Sequence, residues 1–281
     1  MPVKLENILE RVQSLPPLPS SAVRIINLTK NPDVSVKDLE TVIGHDPALA
    51  ASILRQANSA YYGYARRIST LGQAIVILGF QSIHGLAMAS AVAPALKKSL
   101  IGYNIDQEGL WKHSMLTAMI SQRMCKRLHL AFGDTAFTAG LLHDIGKLVI
   151  TLYVQEVGDF IVKKIETNHQ YSYAELEEKI IGYDHGVVGG FIAKQWDLPD
   201  DLIEAISHHH FPERAVEHPK LTAVVHVANG LATLIGIGAG VDGMLNPISE
   251  HAMSILSLKE VDLEYIMAEM GDLLADPSLF S

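Results

Sequence analysis

Two stretches of this chain, Ile68 to Leu96 and Leu221 to Val241, contain no Lys, Arg, Asp or Glu. Uncharged apolar segments about as long as a membrane span must leave water, either into a bilayer or into a protein core. Gly, Gln, Asn, Ser or His interrupts each stretch. That broken pattern fits the buried helices of an all-helical protein better than membrane spans. The 281 residues, 48% hydrophobic and 19% charged, supply a core for one large domain or two modest ones and argue against disorder.

Helix signals recur along the chain, and strand signals are nearly absent. Leu15-Pro16-Pro17-Leu18-Pro19 is a rigid entry, after which Ser20 or Ser21 can cap a helix that Asn31-Pro32 stops. Ser35 and Asp38 form a capping-box pattern ahead of Val36 to Ile43. Asp46-Pro47 opens a helix running to about Asn58, with the acid as cap and proline at the first helical position. Ser69 or Thr70 caps Leu71 to Leu78, Gly79 ends that helix, and a further one spans Gln81 to Val92. Beyond Asn104 the pattern predicts helices over Leu110–Leu128, Thr135–His143 (capped by Asp134), Glu175–Ile181, His185–Gln195, Pro199–His208 and Leu221–Ile235. Thr138-Ala139-Gly140 provides small residues for close helix approach. The expected organisation is a helical lobe over 1–103, a second over 104–240 and an acidic helical tail over 241–281 packed on one face.

Charge and cysteine content narrow the function. Residues 1–104 hold ten Lys and Arg against six Asp and Glu; the remainder holds twelve against twenty-five, and the total is −9. Nucleic acid is therefore a poor partner for the surface as a whole, because phosphate binding needs clustered cations. Cys125 stands alone, which excludes disulfide frameworks and cysteine-rich zinc sites and suits a reducing cytoplasm. Met1 to Gln13 alternates charged and apolar residues, unlike a signal peptide.

Ten of the thirteen histidines fall between His113 and His226, and one opens the run His143-Asp144-Ile145-Gly146-Lys147. An adjacent His-Asp pair on an apolar helix is costly to bury unless each side chain finds a partner, and a metal ion accepts both. Around it stand His113 in mid-helix, His185 at a helix start, His208-His209-His210 at a helix end, and His226 with Asn229 on an apolar helix. Each has an ordinary alternative: a satisfied core histidine, a cap, a helix-end cation, or a buried His226–Asn229 hydrogen bond.

Together these positions resemble the HD superfamily of metal-dependent phosphohydrolases, whose pattern is a histidine, a His-Asp pair and a closing aspartate on a helical bundle. His113, His143 and Asp144 match the first three positions, and Asn229 stands where the closing aspartate belongs. An amide is a weaker ligand than a carboxylate. His185 and the His209-His210 pair look like the extra ligands of the branch that hydrolyses cyclic dinucleotides. The glycine-tyrosine-proline signature of that branch is replaced here by Phe211-Pro212-Glu213. The N-terminal half adds Leu15-Pro16-Pro17-Leu18-Pro19, Ile43-Gly44-His45-Asp46-Pro47-Ala48-Leu49, Asn58-Ser59-Ala60-Tyr61-Tyr62-Gly63 and Gln73-Ala74-Ile75-Val76-Ile77-Leu78-Gly79. In that order, over about residues 10 to 215, they resemble the HDOD family, the HD-related output domain of bacterial signalling proteins.

The resemblance implies an all-α, two-lobed helical bundle with an HD-type metal-binding lobe; no receiver or other signalling module is visible in the sequence, so a stand-alone version is expected. The implied ligands are His113, His143, Asp144, His185, His209, His210 and Asn229, holding one or two ions of iron, zinc, nickel or manganese. Two functions follow. One is a cytoplasmic, metal-binding output or scaffold module with signalling proteins or a nucleotide or phosphoester ligand as partners. The other is a phosphohydrolase acting on a nucleotide, cyclic dinucleotide or other phosphoester, in which the ion activates water near Asp144 and Lys147 steadies the phosphate.

Other features have plainer readings. Asp46 of the second His-Asp pair, His45-Asp46, is explained by capping. Tyr61, Tyr62 and Tyr64 with Arg66 and Arg67 form either a binding surface or a turn that packs its rings. Leu71 to Met88 looks like a helix-turn-helix, but it has no Lys or Arg to meet phosphate.

Overall fold

The computed structural model of the chain describes residues 3–29, 31, 33–59, 61–64, 66–155, 171–238, 240, 247–274 and 280. Among them no strand forms, and one isolated bridge pairs Leu100 with Ile105. The helices in chain order are α1 (Leu5–Gln13), α2 (Ser20–Thr29), α3 (Val36–Gly44), α4 (Pro47–Ala57), α5 (Leu71–Leu78), α6 (Phe80–Leu96), α7 (Gly109–Arg127) and α8 (Gly133–Leu142). After these come α9 (147–155), α10 (Tyr173–Ile181), α11 (His185–Gln195), α12 (Asp200–His208), α13 (Pro219–Ile235), α14 (Glu250–Leu256) and α15 (Glu260–Leu274). The chain divides into two compact units: 17–94 with 268–281, and 1–16 with 95–267.

Local chemistry sets most of the helix ends. The Ser35 hydroxyl accepts from Asp38 N while Asp38 Oδ2 accepts from Ser35 N, a complete capping box on α3. Asp46 caps α4 by accepting from Leu49 N at 3.1 Å and also accepts from the Ser21 hydroxyl at 2.8 Å. Ser20 is the first residue of α2 rather than its cap, and Ser21 turns to Asp46 instead. That helix ends at Thr29, and Pro32 lies outside the described residues. Thr70 caps α5. Gly79, at φ 82°, bends α5 against α6 by 117°, so the first uncharged stretch is two short helices rather than one span. α6 runs past Val92 and through Pro94, because proline removes a single ladder hydrogen bond while Leu96 beyond it is fully buried. Its unit has a core of Ile25, Leu39, Ile43, Ile53, Ile75 and Ile83.

In the larger unit α7 packs on α8 and α13, α11 on α12, and α14 on α13. Small residues let α7 and α8 approach closely: a Cβ on Gly140 of α8 would lie 2.9 Å from Ala118 Cα of α7. α8 begins at Gly133 with no side-chain cap; Asp134 falls inside the first turn, where its carboxylate accepts from Gln122 Nε2 at 2.8 Å. The second uncharged stretch is α13, buried from Leu221 through Ala232 and closed by Gly236 at φ 81°; Val241 lies outside the described residues. The helical run Gly133–Gln155 is long and apolar enough to cross a membrane, and 78% of its apolar window is buried inside the protein.

Candidate metal centre

Five helix ends or faces meet around Asp144. His113 comes from the middle of α7, and Asn229 from α13. His143 closes α8, the tight turn after it carries Asp144, and Lys147 opens α9. His185 is the first residue of α11, where Asp184 caps the helix by accepting from Val187 N at 3.0 Å. His209 closes α12, and His210 follows. Gly146 lets the turn approach α11: a Cβ there would sit against the His185 carbonyl and 2.6 Å from Gly189 N.

One carboxylate faces four of the imidazoles and Lys147. Asp144 Oδ1 lies 3.1 Å from His185 Nε2 and 3.8 Å from His209 Nε2, and Oδ2 lies 3.3 Å from His143 Nε2 and 3.7 Å from His113 Nε2. Lys147 Nζ bonds Oδ2 at 2.6 Å and sits 5.4 Å above the Tyr103 ring. Two sets of donor atoms each fall within 4.8 Å: Asp144, His185, His209 and His210; and His113, His143 and Asp144. The Asp144 carboxylate is 1% exposed and His143, His185 and His209 are 0% exposed.

The ring orientations follow from the outer partners. A carbonyl oxygen only accepts, so His143 Nδ1 donates to Gly140 O at 2.7 Å and His209 Nδ1 donates to Ile206 O at 2.8 Å. His185 Nδ1 donates to Glu177 Oε2 at 2.7 Å. All three imidazoles therefore turn Nε2 inward. His143 Nε2, His209 Nε2 and Asp144 Oδ1 are buried with no hydrogen-bond partner among the described residues. Orphaned buried polar atoms of this kind carry a penalty of ~1–3 kcal/mol each unless something binds them. Inward nitrogens with the second nitrogen anchored outside form the ligand arrangement of histidine metal sites.

Electrostatics favour the deprotonated forms of Asp144, His209 and His210. Burial works to raise the Asp144 carboxyl, but the neighbouring His143 imidazole, the Lys147 ammonium and the approach of the His185 ring hold it well below the usual range. Burial, with neighbouring imidazoles, holds His209 and His210 well below the usual histidine value. For His185, burial pulls downward, yet the Glu177 carboxylate that its ring bonds and the nearby Asp144 carboxylate push it up to about 10. Its Nε2 lies 2.8 Å from His210 Nε2, and one of those nitrogens must carry the hydrogen. A proton on His185 accounts for both facts, and a cation arriving between the rings would displace it.

Several placements depart from the sequence reading. His226 does not bond Asn229; its Nδ1 donates to His209 O at 2.7 Å and its Nε2 accepts from Ser249 N at 2.9 Å. Asn229 Oδ1 instead lies 2.9 Å from His113 Nε2. Of the histidine triple, His208 stays out of the cluster. Lys147 is 3% exposed and pinned on Asp144. Glu177 went unnoticed in the sequence. It is fully buried, accepts from His185 N at 2.9 Å as well as from the ring, and accepts from the Tyr103 hydroxyl at 2.5 Å. Its signal was positional: it falls one turn after Tyr173 and one turn before Ile181, on the apolar face of α10.

This fold and this cluster define an all-helical protein with an HD-type lobe. The chain belongs to the HDOD family, whose domain model matches residues 15–212. An uncharacterized protein of Treponema pallidum (strain Nichols) is 27% identical over 231 residues, which is 79% of this chain; the chain spans 43% of that relative's length. A crystal structure of an HDOD domain protein of unknown function from Geobacter sulfurreducens shares the fold, with TM-score 0.74, 24% identity and coverage of 97% of this chain and 96% of that one. A Shewanella amazonensis SB2B structure, named provisionally as a phosphohydrolase, gives TM-score 0.72 at 27% identity over 98% and 95% of the two chains. A Marinobacter aquaeolei VT8 structure, named provisionally as a signal transduction protein, gives 0.71 at 25% identity over 100% of this chain and 60% of that one.

Proposed function

We propose that the protein is a signalling module in which the Asp144 cluster holds one or two divalent transition-metal ions. The observation that carries this reading is the set of inward Nε2 atoms on His143, His185 and His209 around an orphaned carboxylate oxygen. His185, His209 and His210 would hold one ion with Asp144; His113 and His143 would hold a second with the same carboxylate. Nitrogen-rich ligation favours iron, zinc, nickel or manganese over magnesium or calcium. A bound ion supplies a crosslink between α7, α8, α11 and α12 and Lewis acidity toward a phosphoester. The enclosure of the ligands fits a closed site better than a catalytic one, which keeps a position open.

Metal analysis of tag-free protein tests this, comparing wild type with Asp144→Asn and Asp144→Ala. Near-stoichiometric metal that is lost in both variants supports the reading. A metal-free wild type, or unchanged content in the variants, overturns it.

Hydrolysis is the second reading, supported by the likeness to the Shewanella structure named provisionally as a phosphohydrolase. Metal-loaded protein assayed on phosphomonoesters and cyclic dinucleotides would then show turnover that His143→Ala abolishes. Turnover that survives that change would belong to a contaminant.

A further inference from the structure

The unit of residues 17–94 carries an open groove of about 880 Å³, lined among others by Leu54, Arg55, Asn58, Tyr64, Arg67 and Ser69. That volume lies within the ~300–1,000 Å³ typical of small-molecule sites. The walls are braced. Asn58 Nδ2 donates to Leu54 O at 2.7 Å and to Ile68 O at 2.9 Å, and Asn58 Oδ1 accepts from Ile68 N at 2.8 Å. These bonds tie the end of α4 to the chain ten residues on.

The groove has a chemical character of its own. Pro47 to Leu96 contains three arginines and no acidic residue. Arg127 pairs with Asp262 and Arg214 with Glu178, whereas neither Arg55 nor Arg67 has an ion pair among the described residues. The end of α4 contributes at most about half a negative charge here, which two guanidinium groups outweigh. The tyrosine cluster divides by role. Tyr61 is buried and packs edge-on against Tyr62, with ring centroids 5.1 Å apart. Tyr64 lines the groove, 48% exposed as a residue, with its hydroxyl donating to Ile77 O at 3.2 Å, which fixes the ring.

We propose that this groove binds a nucleotide, with Arg55 and Arg67 taking the phosphates and the Tyr64 ring stacking on the base. Guanidinium forks match phosphate oxygens bidentately, and an exposed tyrosine face accepts a base without reading its identity. The site is independent of the histidine cluster.

The test is a fluorescence-anisotropy titration of the full chain, stripped with chelator, with a fluorescent GTP analogue. Unlabelled GTP, guanosine and pyrophosphate serve as competitors. The expected result is saturable binding with GTP competing best, since only it offers both base and phosphates. The double change Arg55→Ala with Arg67→Ala weakens it at least about tenfold, Tyr64→Leu weakens it severalfold, and Asp144→Asn leaves it unchanged. All three groove residues are exposed, so these variants keep the fold. The proposal is overturned by an absence of saturable binding or by equal affinity in the double variant. It is equally overturned by pyrophosphate competing as well as GTP, or by loss in Asp144→Asn alone, which would move binding to the histidine cluster.

Discussion

Two buried acids have opposite roles beside His185. Glu177 fixes the imidazole from outside, bonding its ring and backbone N–H groups while the Tyr103 hydroxyl takes the other oxygen. Glu177→Gln keeps the shape and removes the charge. The expected outcome is divalent-metal affinity weakened by about 10–100-fold, read by competition against a chelator of known affinity. Asp184 caps α11 with one oxygen, while Oδ2 is buried with no hydrogen-bond partner among the described residues. Burial pushes its carboxyl up to about 6, with Glu177 adding to the rise and His185 opposing it. The folded state therefore holds this proton more tightly than the unfolded chain, whose carboxyl titrates near 3.8. The ionised form destabilises the fold above pH 6 by roughly 3 kcal/mol, and the penalty fades as pH falls from 6 to below 4. Asp184→Asn retains the cap. In metal-free denaturant titrations it should be more stable than wild type at pH 7, with the gap closing by pH 4. A constant gap across that range would assign the effect to packing instead.

The turn from His143 to Lys147 works only because α11 lies directly on it. A methyl on Gly146 would meet the His185 backbone, which cannot yield without moving a ligand. Gly146→Ala should cost on the order of 3 kcal/mol or more and lower metal affinity with it, measured by thermal unfolding and metal titration. Capping chemistry made the elements legible: the Ser35–Asp38 box, Asp46-Pro47 and Thr70 stand where sequence placed them. His113, His143, Asp144, His185, His209 and His210 were singled out by the resemblance to the HD pattern, and the fold gathers them. Tertiary choices were not legible. Asp134 is drawn to Gln122 rather than to a helix end, and His226 serves His209 O and Ser249 N rather than Asn229. A side chain's partner depends on which helix packs beside it, and local pattern does not encode that.

Along the chain, helix capping and apolar burial account for a fold without strands among the described residues, and the arrangement of unlike charges accounts for its two candidate sites. Cations unmatched by acids line the groove at Arg55 and Arg67, whereas the histidine cluster is organised around a single carboxylate. The chain also has one sulfur nucleophile. Cys125 lies on α7 with no exposed surface, and burial, reinforced by the Asp134 charge, pushes its thiol up to about 12. In the folded protein this thiol is neither ionised at neutral pH nor within reach of a reagent. Alkylation of the native chain should therefore be slower than that of the unfolded chain by the factor that separates the two populations. Iodoacetamide labelling followed by mass spectrometry would check this; labelling of the native protein at the unfolded rate would contradict it. Cys125 thus acts as an intrinsic clock for global opening, and changes in labelling rate with added metal or nucleotide would rank ligands by how far they hold the chain closed.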